Sequence, residues 1–181
     1  QRPELAAILV RVADSHIRFG SFEFFHYNGQ GKNVERLLEF SIQSYYPDIA
    51  KESDKYRIFF QRTVQRTAKL IAKWQAVGFI HGVMNTDNMC ITGTTFDYGP
   101  YGFMDRFVPK YTSNHSDTHG RYAYSQQPEI GFWNLNKLAE TFTSLIGAET
   151  LEEEMKQYQP TFNQFYREEM SQKLGLTILD S

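Results

Sequence analysis

The longest helical pattern in the chain lies between residues 54 and 77. Ile58, Phe59, Val64, Ala68, Ile71, Ala72 and Gln75 recur at helical steps and trace a broad apolar stripe. Arg57, Arg62, Arg66, Lys69 and Lys73 fall largely off that stripe and read as a solvated face. Gly78 is the expected C-cap. A second helix is predicted from Val34 to Tyr45, capped by Asn33, with Val34, Leu37, Leu38 and Ile42 inward and Tyr46-Pro47-Asp48 as its stop. Two more helices are expected near the end, Ile130 to Ile146 and Thr150 to Lys173, the latter kinked at Pro160. Residues 5–12 form an apolar run too short for periodicity to decide between helix and buried strand. Residues 16–25 alternate and predict a strand broken at Gly20, followed by an Asn28–Gly31 loop. Met89–Ile91 and Thr94–Phe96 predict a hairpin around Thr92-Gly93. Residues 99–129 show no period, and a loop that long in a compact domain is usually functional. No internal repeat or low-complexity segment interrupts the pattern.

The chemistry is concentrated just after the long helix, in His81-Gly-Val-Met-Asn-Thr-Asp87-Asn88 and Phe96-Asp97-Tyr98-Gly99. Two carboxylates and a carboxamide around a turn make a set of hard oxygen ligands suited to Mg²⁺, and through it to nucleotide phosphates. The segment resembles the catalytic loop and metal-binding Asp-Phe-Gly element of protein kinases, and His81 to Asn88 keeps the kinase His-to-Asn separation. Val83, however, stands where the kinase base would be, and valine cannot accept a proton. A carboxylate returns at Asp87. On this reading Asn88 and Asp97 are the metal ligands, and Asp87 faces the substrate as a base or a supporting carboxylate. His81 reads as structural, and Asn85 as a residue that helps to hold the loop.

Arg11 and Arg18 each lie in an otherwise apolar segment. A guanidinium there needs a partner. Salt bridges to Asp14 or Glu23 are one reading, and bidentate contacts to phosphate the other. His115, Asp117 and His119 lack a third well-placed ligand for a metal and read as a loop ordered by polar contacts.

Composition changes little in this picture. The net charge of −2 gives no reason to expect nucleic acid or an anionic membrane as partner. One cysteine, Cys90, excludes an intrachain disulfide, and its place in Met89-Cys90-Ile91 marks it as a small buried hydrophobe. No apolar run has the length of a membrane span, and there is no signal-peptide pattern. The start at Gln-Arg-Pro and the want of a Gly-rich phosphate loop suggest a piece of a larger protein.

Several long motifs carry a specific resemblance. Arg11-Val-Ala-Asp-Ser-His-Ile-Arg18-Phe-Gly-Ser-Phe-Glu-Phe-Phe, the 81–89 segment, Phe96 to Asp105, Asn114-His-Ser-Asp, and Gly120-Arg-Tyr-Ala-Tyr with Gln127-Pro128 resemble the selenoprotein O, or YdiU, family. The resemblance implies an α+β, mainly helical fold: the end of a kinase-like small lobe at 1–27 and a truncated large lobe at 28–181. It implies inverted ATP binding and transfer of AMP to Ser, Thr or Tyr hydroxyls of proteins, with Mg²⁺ (alternatively Mn²⁺) as the metal. By the same resemblance Asp87 is the proton acceptor, Asn88 and Asp97 are the metal ligands, and Arg11 and Arg18 are the phosphate contacts. The family's nucleotide-binding Lys, its acidic partner and its Gly-rich loop would lie before Gln1, and its redox segment after Ser181. The 181 residues alone are therefore expected to be inactive. The expected partners are ATP and protein acceptors, without nucleic acid or membrane. The expected compartment is the bacterial cytoplasm, or mitochondria for a eukaryotic source. Two alternatives differ in class: a nucleotide-binding pseudokinase without catalysis, and a kinase-type phosphotransferase. The latter would need Asp at the position of Val83.

Overall fold

A computed structural model describes residues 8, 10–95 and 97–176. Among the described residues six helices carry the fold: α1 Phe19–Tyr27, α2 Gly31–Tyr45, α3 Lys55–Val77, α4 Gln127–Ile146, α5 Ala148–Met155 and α6 Tyr158–Leu174. Two two-residue strands, β1 Phe79–Ile80 and β2 Gly102–Phe103, pair antiparallel, Phe79 opposite Phe103. The protein is thus mainly helical, α+β.

The long helix sits at the centre. On α3, Phe59, Phe60, Thr63, Val64, Thr67, Ala68, Ile71, Ala72 and Gln75 are all buried, a stripe wide enough to face several neighbours. It packs most extensively on α6 and then on α4 and α5. Gly78 ends it in the left-handed conformation, φ 67°, as its sequence position predicts. The basic residues beside the stripe are more engaged than a solvated face. Arg57 pairs with Glu154 at 2.8 Å, Arg62 with Asp48 at 2.6 Å, and Arg66 lies 4.4 Å over the Tyr46 ring.

Four expectations are corrected. Residues 19–27 are helix, not strand. A short aromatic run fits either period, and burial of Phe19 and Phe22, three residues apart, with Phe22 edge-on to Phe142, selects the helix. The Ser21 hydroxyl supports its start by accepting the Arg18 N–H at 3.2 Å. Phe19 and Phe22 belong to the same core as α2 to α6.

The apolar run at 5–12 forms neither helix nor buried strand where it is described. Ile8, Val10 and Val12 are exposed without regular structure, and residues 5–7 and 9 lie outside the described residues.

Among the described residues, 89–91 and 94–95 are not paired as the expected hairpin; Phe96, its last position, lies outside the described residues. Residues 89–91 pair instead with 17–19: the Phe19 N–H donates to Met89 O at 3.0 Å and the Ile91 N–H to Ile17 O at 3.2 Å. Finally, the expected kink at Pro160 is a break at Lys156–Gln157. Pro160 falls in the first turn of α6, where a missing N–H costs nothing, while its ring would clash with the carbonyl of residue 156 in a continuous helix. Smaller shifts occur at α2, which begins at Gly31, so that Asn33 lies inside it and bonds the Gln30 side chain.

Candidate functional site

The 81–99 segment is shaped by the elements beneath it. β1 leads from the Gly78 cap into His81, and a 3-10 turn at Thr86–Asn88 presents Asp87 and Asn88. Between them the backbone is held by carboxamide side chains. Gln127, fully buried on α4, donates to Phe79 O and accepts the His81 N–H, both at 2.9 Å. Asn114 donates to Gly82 O at 3.1 Å, Asn88 to Val83 O at 2.7 Å, and buried Asn134 to Met84 O at 2.9 Å. Buried backbone groups need partners, and a loop that makes no ladder must find them in side chains. Gly82 has φ 82°, and a Cβ there would press on Pro100 O at 2.7 Å. Glycine is needed at that position for both reasons.

His81 is structural, as its surroundings show. It is 1% exposed, with its ring 5.3 Å from Trp74, and its Nδ1 accepts the Val83 N–H at 3.4 Å. Burial pushes its pKa down to about 4, against a smaller upward pull from Asp97. The folded state therefore holds a neutral imidazole, whereas the unfolded chain protonates near pH 6.5. The contribution is complete above pH 6.5 and is lost as pH falls towards 4, amounting to roughly 3 kcal/mol. Urea unfolding of the metal-free chain is expected to show a falling midpoint between pH 7 and pH 5, with a shallower slope in His81→Phe.

Asp97 arrives at the site by a different route from the one expected. The turn after Cys90 is pinned on α3 and on Tyr46, at the end of α2. Tyr46 Oη donates to Ile91 O at 2.6 Å, Trp74 Nε1 donates to Thr95 Oγ1 at 2.8 Å, and Gly93, φ 69°, lies so close to Arg66 that a Cβ would fall 2.7 Å from the Arg66 Cβ. The turn delivers Asp97 to the two arginines: Arg11 Nη1 lies 2.7 Å from Oδ1, and Arg18 Nη2 lies 3.4 Å from Oδ2. Neither Asp14 nor Glu23 takes the part the sequence offered them in these ion pairs. Arg18 leads directly into α1, and Gly20, two residues on, backs onto Asp87. A Cβ at Gly20 would come within 3.0 Å of Asp87 Cγ and closer still to its Oδ1. Residues 18–20 thus touch both carboxylates. All five residues picked from the sequence (Arg11, Arg18, Asp87, Asn88 and Asp97) lie on these connected segments. Asn88 directs its Nδ2 to Val83 O, so its carboxamide oxygen is the end left for a ligand.

Two further sequence-based readings can be placed. Cys90 is buried, and Asp117 orders its loop by accepting the N–H groups of Arg121 and Tyr122 at 2.9 and 2.7 Å. Among the described residues no three His, Cys, Asp or Glu side chains are grouped to hold a metal, and no helix is long and apolar enough to cross a membrane. Sequence reasoning assigned no site role to Gln127, Asn114 or Asn134. A signal existed for two of them: Gln127 and Asn134 stand seven residues apart on the buried face of α4, with Ile130 and Leu138.

Comparisons bear on what this arrangement serves. The family model for Protein adenylyltransferase SelO matches residues 1–181. A protein of Erwinia tasmaniensis named Protein nucleotidyltransferase YdiU is 49% identical over 173 residues, 96% of this chain and 36% of the relative. A protein of the same name from Myxococcus xanthus is 51% identical with the same coverage. One from Yersinia pseudotuberculosis is 48% identical over 181 residues, 100% of this chain and 38% of the relative. The chain thus spans little more than a third of the length of these relatives. By that match over its whole length and these identities, the chain belongs to the SelO family.

Proposed function

We propose that these residues form part of the active site of a Mg²⁺-dependent protein adenylyltransferase, which transfers AMP from ATP to Ser, Thr or Tyr hydroxyls. The observation that carries the reading is the meeting of Arg11, Arg18 and Asp97 beside the turn bearing Asp87 and Asn88. Two guanidiniums suit phosphate oxygens. The donor set fits Mg²⁺: a carboxylate from Asp97 and a carboxamide oxygen from Asn88 are hard ligands, leaving positions for phosphate and water. Mn²⁺ would fit the same oxygens. Bound there, the metal would offset phosphate charge and stabilise the pyrophosphate leaving group. In a kinase-like frame, the boundary between small and large lobe would lie before α1 rather than at residue 27, since Phe19 and Phe22 share the core of α2 to α6.

The chain's own residues then have distinct tasks. Arg11 and Arg18 hold the phosphates, exchanging Asp97 for them when nucleotide enters. An acceptor hydroxyl attacks the α-phosphorus in line. A new oxygen–phosphorus bond forms as the bond to the β-phosphate oxygen breaks, and the hydroxyl proton passes to Asp87. Val83 is no obstacle, because the base on this reading is Asp87. Bacterial relatives suit a cytoplasmic setting, with ATP and protein acceptors as partners.

The test uses ATP labelled at the α- or the γ-phosphate, a generic protein acceptor, and the full-length protein carrying these 181 residues. Label is expected in the acceptor from the α position alone. Transfer from the γ position would make the protein a kinase, and nucleotide binding without any transfer would make it a pseudokinase.

A further inference from the structure

We infer that Gly20 is a positioning residue for Asp87: the missing side chain on α1 is what lets the Asp87 carboxylate occupy its place. The inference rests on the proposed role of Asp87 as proton acceptor. Gly20 is the second residue of α1 and does not have positive φ, so no backbone constraint calls for glycine there. Alanine is the better helix former. What excludes it is Asp87 itself. An added Cβ would collide with Oδ1 and lie 3.0 Å from Cγ, yet stand at 3.4 Å from the Asp87 Cα. The turn backbone can therefore stay where it is, held through Phe19 N–H to Met89 O at 3.0 Å and Asn88 Nδ2 to Val83 O at 2.7 Å. The carboxylate, at the end of an exposed side chain, is the group that must turn away.

A substitution good for the helix and bad for the reaction follows. In the full-length protein, Gly20→Ala is expected to leave the melting temperature unchanged or raised. It should lower kcat about 100-fold, the cost of a misplaced catalytic group, with KM for ATP within about threefold. The decisive readout is non-additivity. If Gly20 acts only through Asp87, Gly20→Ala/Asp87→Ala has the rate of Asp87→Ala, because the clash has gone with the carboxylate. Gly20→Ala at the wild-type rate beside a crippled Asp87→Ala would overturn the inference and leave the base assignment standing. So would a full further loss in the double variant. Asp87→Ala at the wild-type rate would remove the base assignment instead.

Discussion

Replacing Asp97 by alanine is expected to lower adenylyl transfer by about 1,000-fold or more while leaving the fold intact. The two halves of that expectation come from different properties of the same side chain. Functionally, Asp97 is where Arg11 and Arg18 converge from segments 86 and 79 positions away, and it is the proposed carboxylate ligand of the metal. Its loss removes a ligand and releases two guanidiniums from their shared anchor. Structurally, the ion pairs are partly solvated: the Arg11 and Arg18 side chains are 45% and 39% exposed and that of Asp97 25%. Pairs of that kind contribute about 1 kcal/mol or less. Thermal melting should therefore move by only a few degrees while the rate collapses. Asp97→Asn keeps the shape and removes the charge, and it should resemble alanine in rate. A large fall in melting temperature would mean that Asp97 serves the fold instead.

The second large effect is expected at Gln127, which touches none of the proposed reacting groups. Its carboxamide closes two backbone groups of the loop, Phe79 O and the His81 N–H, in a place with no solvent access. Leucine fits the space and satisfies neither. Each orphaned buried group costs about 1–3 kcal/mol, so Gln127→Leu is expected to lose roughly 2–5 kcal/mol in urea unfolding. The loop that carries Asp87 and Asn88 begins at those two groups. Loss of the clamp should therefore also cut the rate about 100-fold, even where the variant remains folded. Gln127→Glu restores the acceptor for His81 but not the donor for Phe79, and it buries a carboxylate, so it should rescue little. A stability change under about 0.5 kcal/mol in Gln127→Leu would show that the loop keeps its shape without this residue.

How much of this was legible in the sequence depended on the range of the interactions involved. The α3 helix could be read because twenty-three residues repeat one pattern and end in a glycine that only a left-handed cap explains. α1 was misread because its few aromatic residues satisfy both periods, and the contact of Phe22 with Phe142 that decides between them spans 120 positions. Two-residue strands such as β1 and β2 carry no periodicity at all. The five candidate residues could be picked from the sequence by type, but which of them meet in space could not. The sequence offered Asp14 and Glu23 to the arginines because they are near in the chain, whereas Asp97 is near in space. The carboxamide clamp went unread for a related reason. Gln127, Asn114 and Asn134 lie between 32 and 50 positions from the backbone groups they close, so nothing local in the sequence assigns them that task. Gly20 reads as a break in a strand, and only the approach of Asp87 gives it another meaning.

The most direct test of the central claim is intact-mass spectrometry of a protein acceptor after incubation with Mg²⁺, ATP and the full-length protein, beside the same reaction with Asp97→Ala. An AMP-sized increment on the acceptor, absent with the variant, is the expected result. A phosphate-sized increment, or an AMP-sized one that survives in Asp97→Ala, would contradict the account.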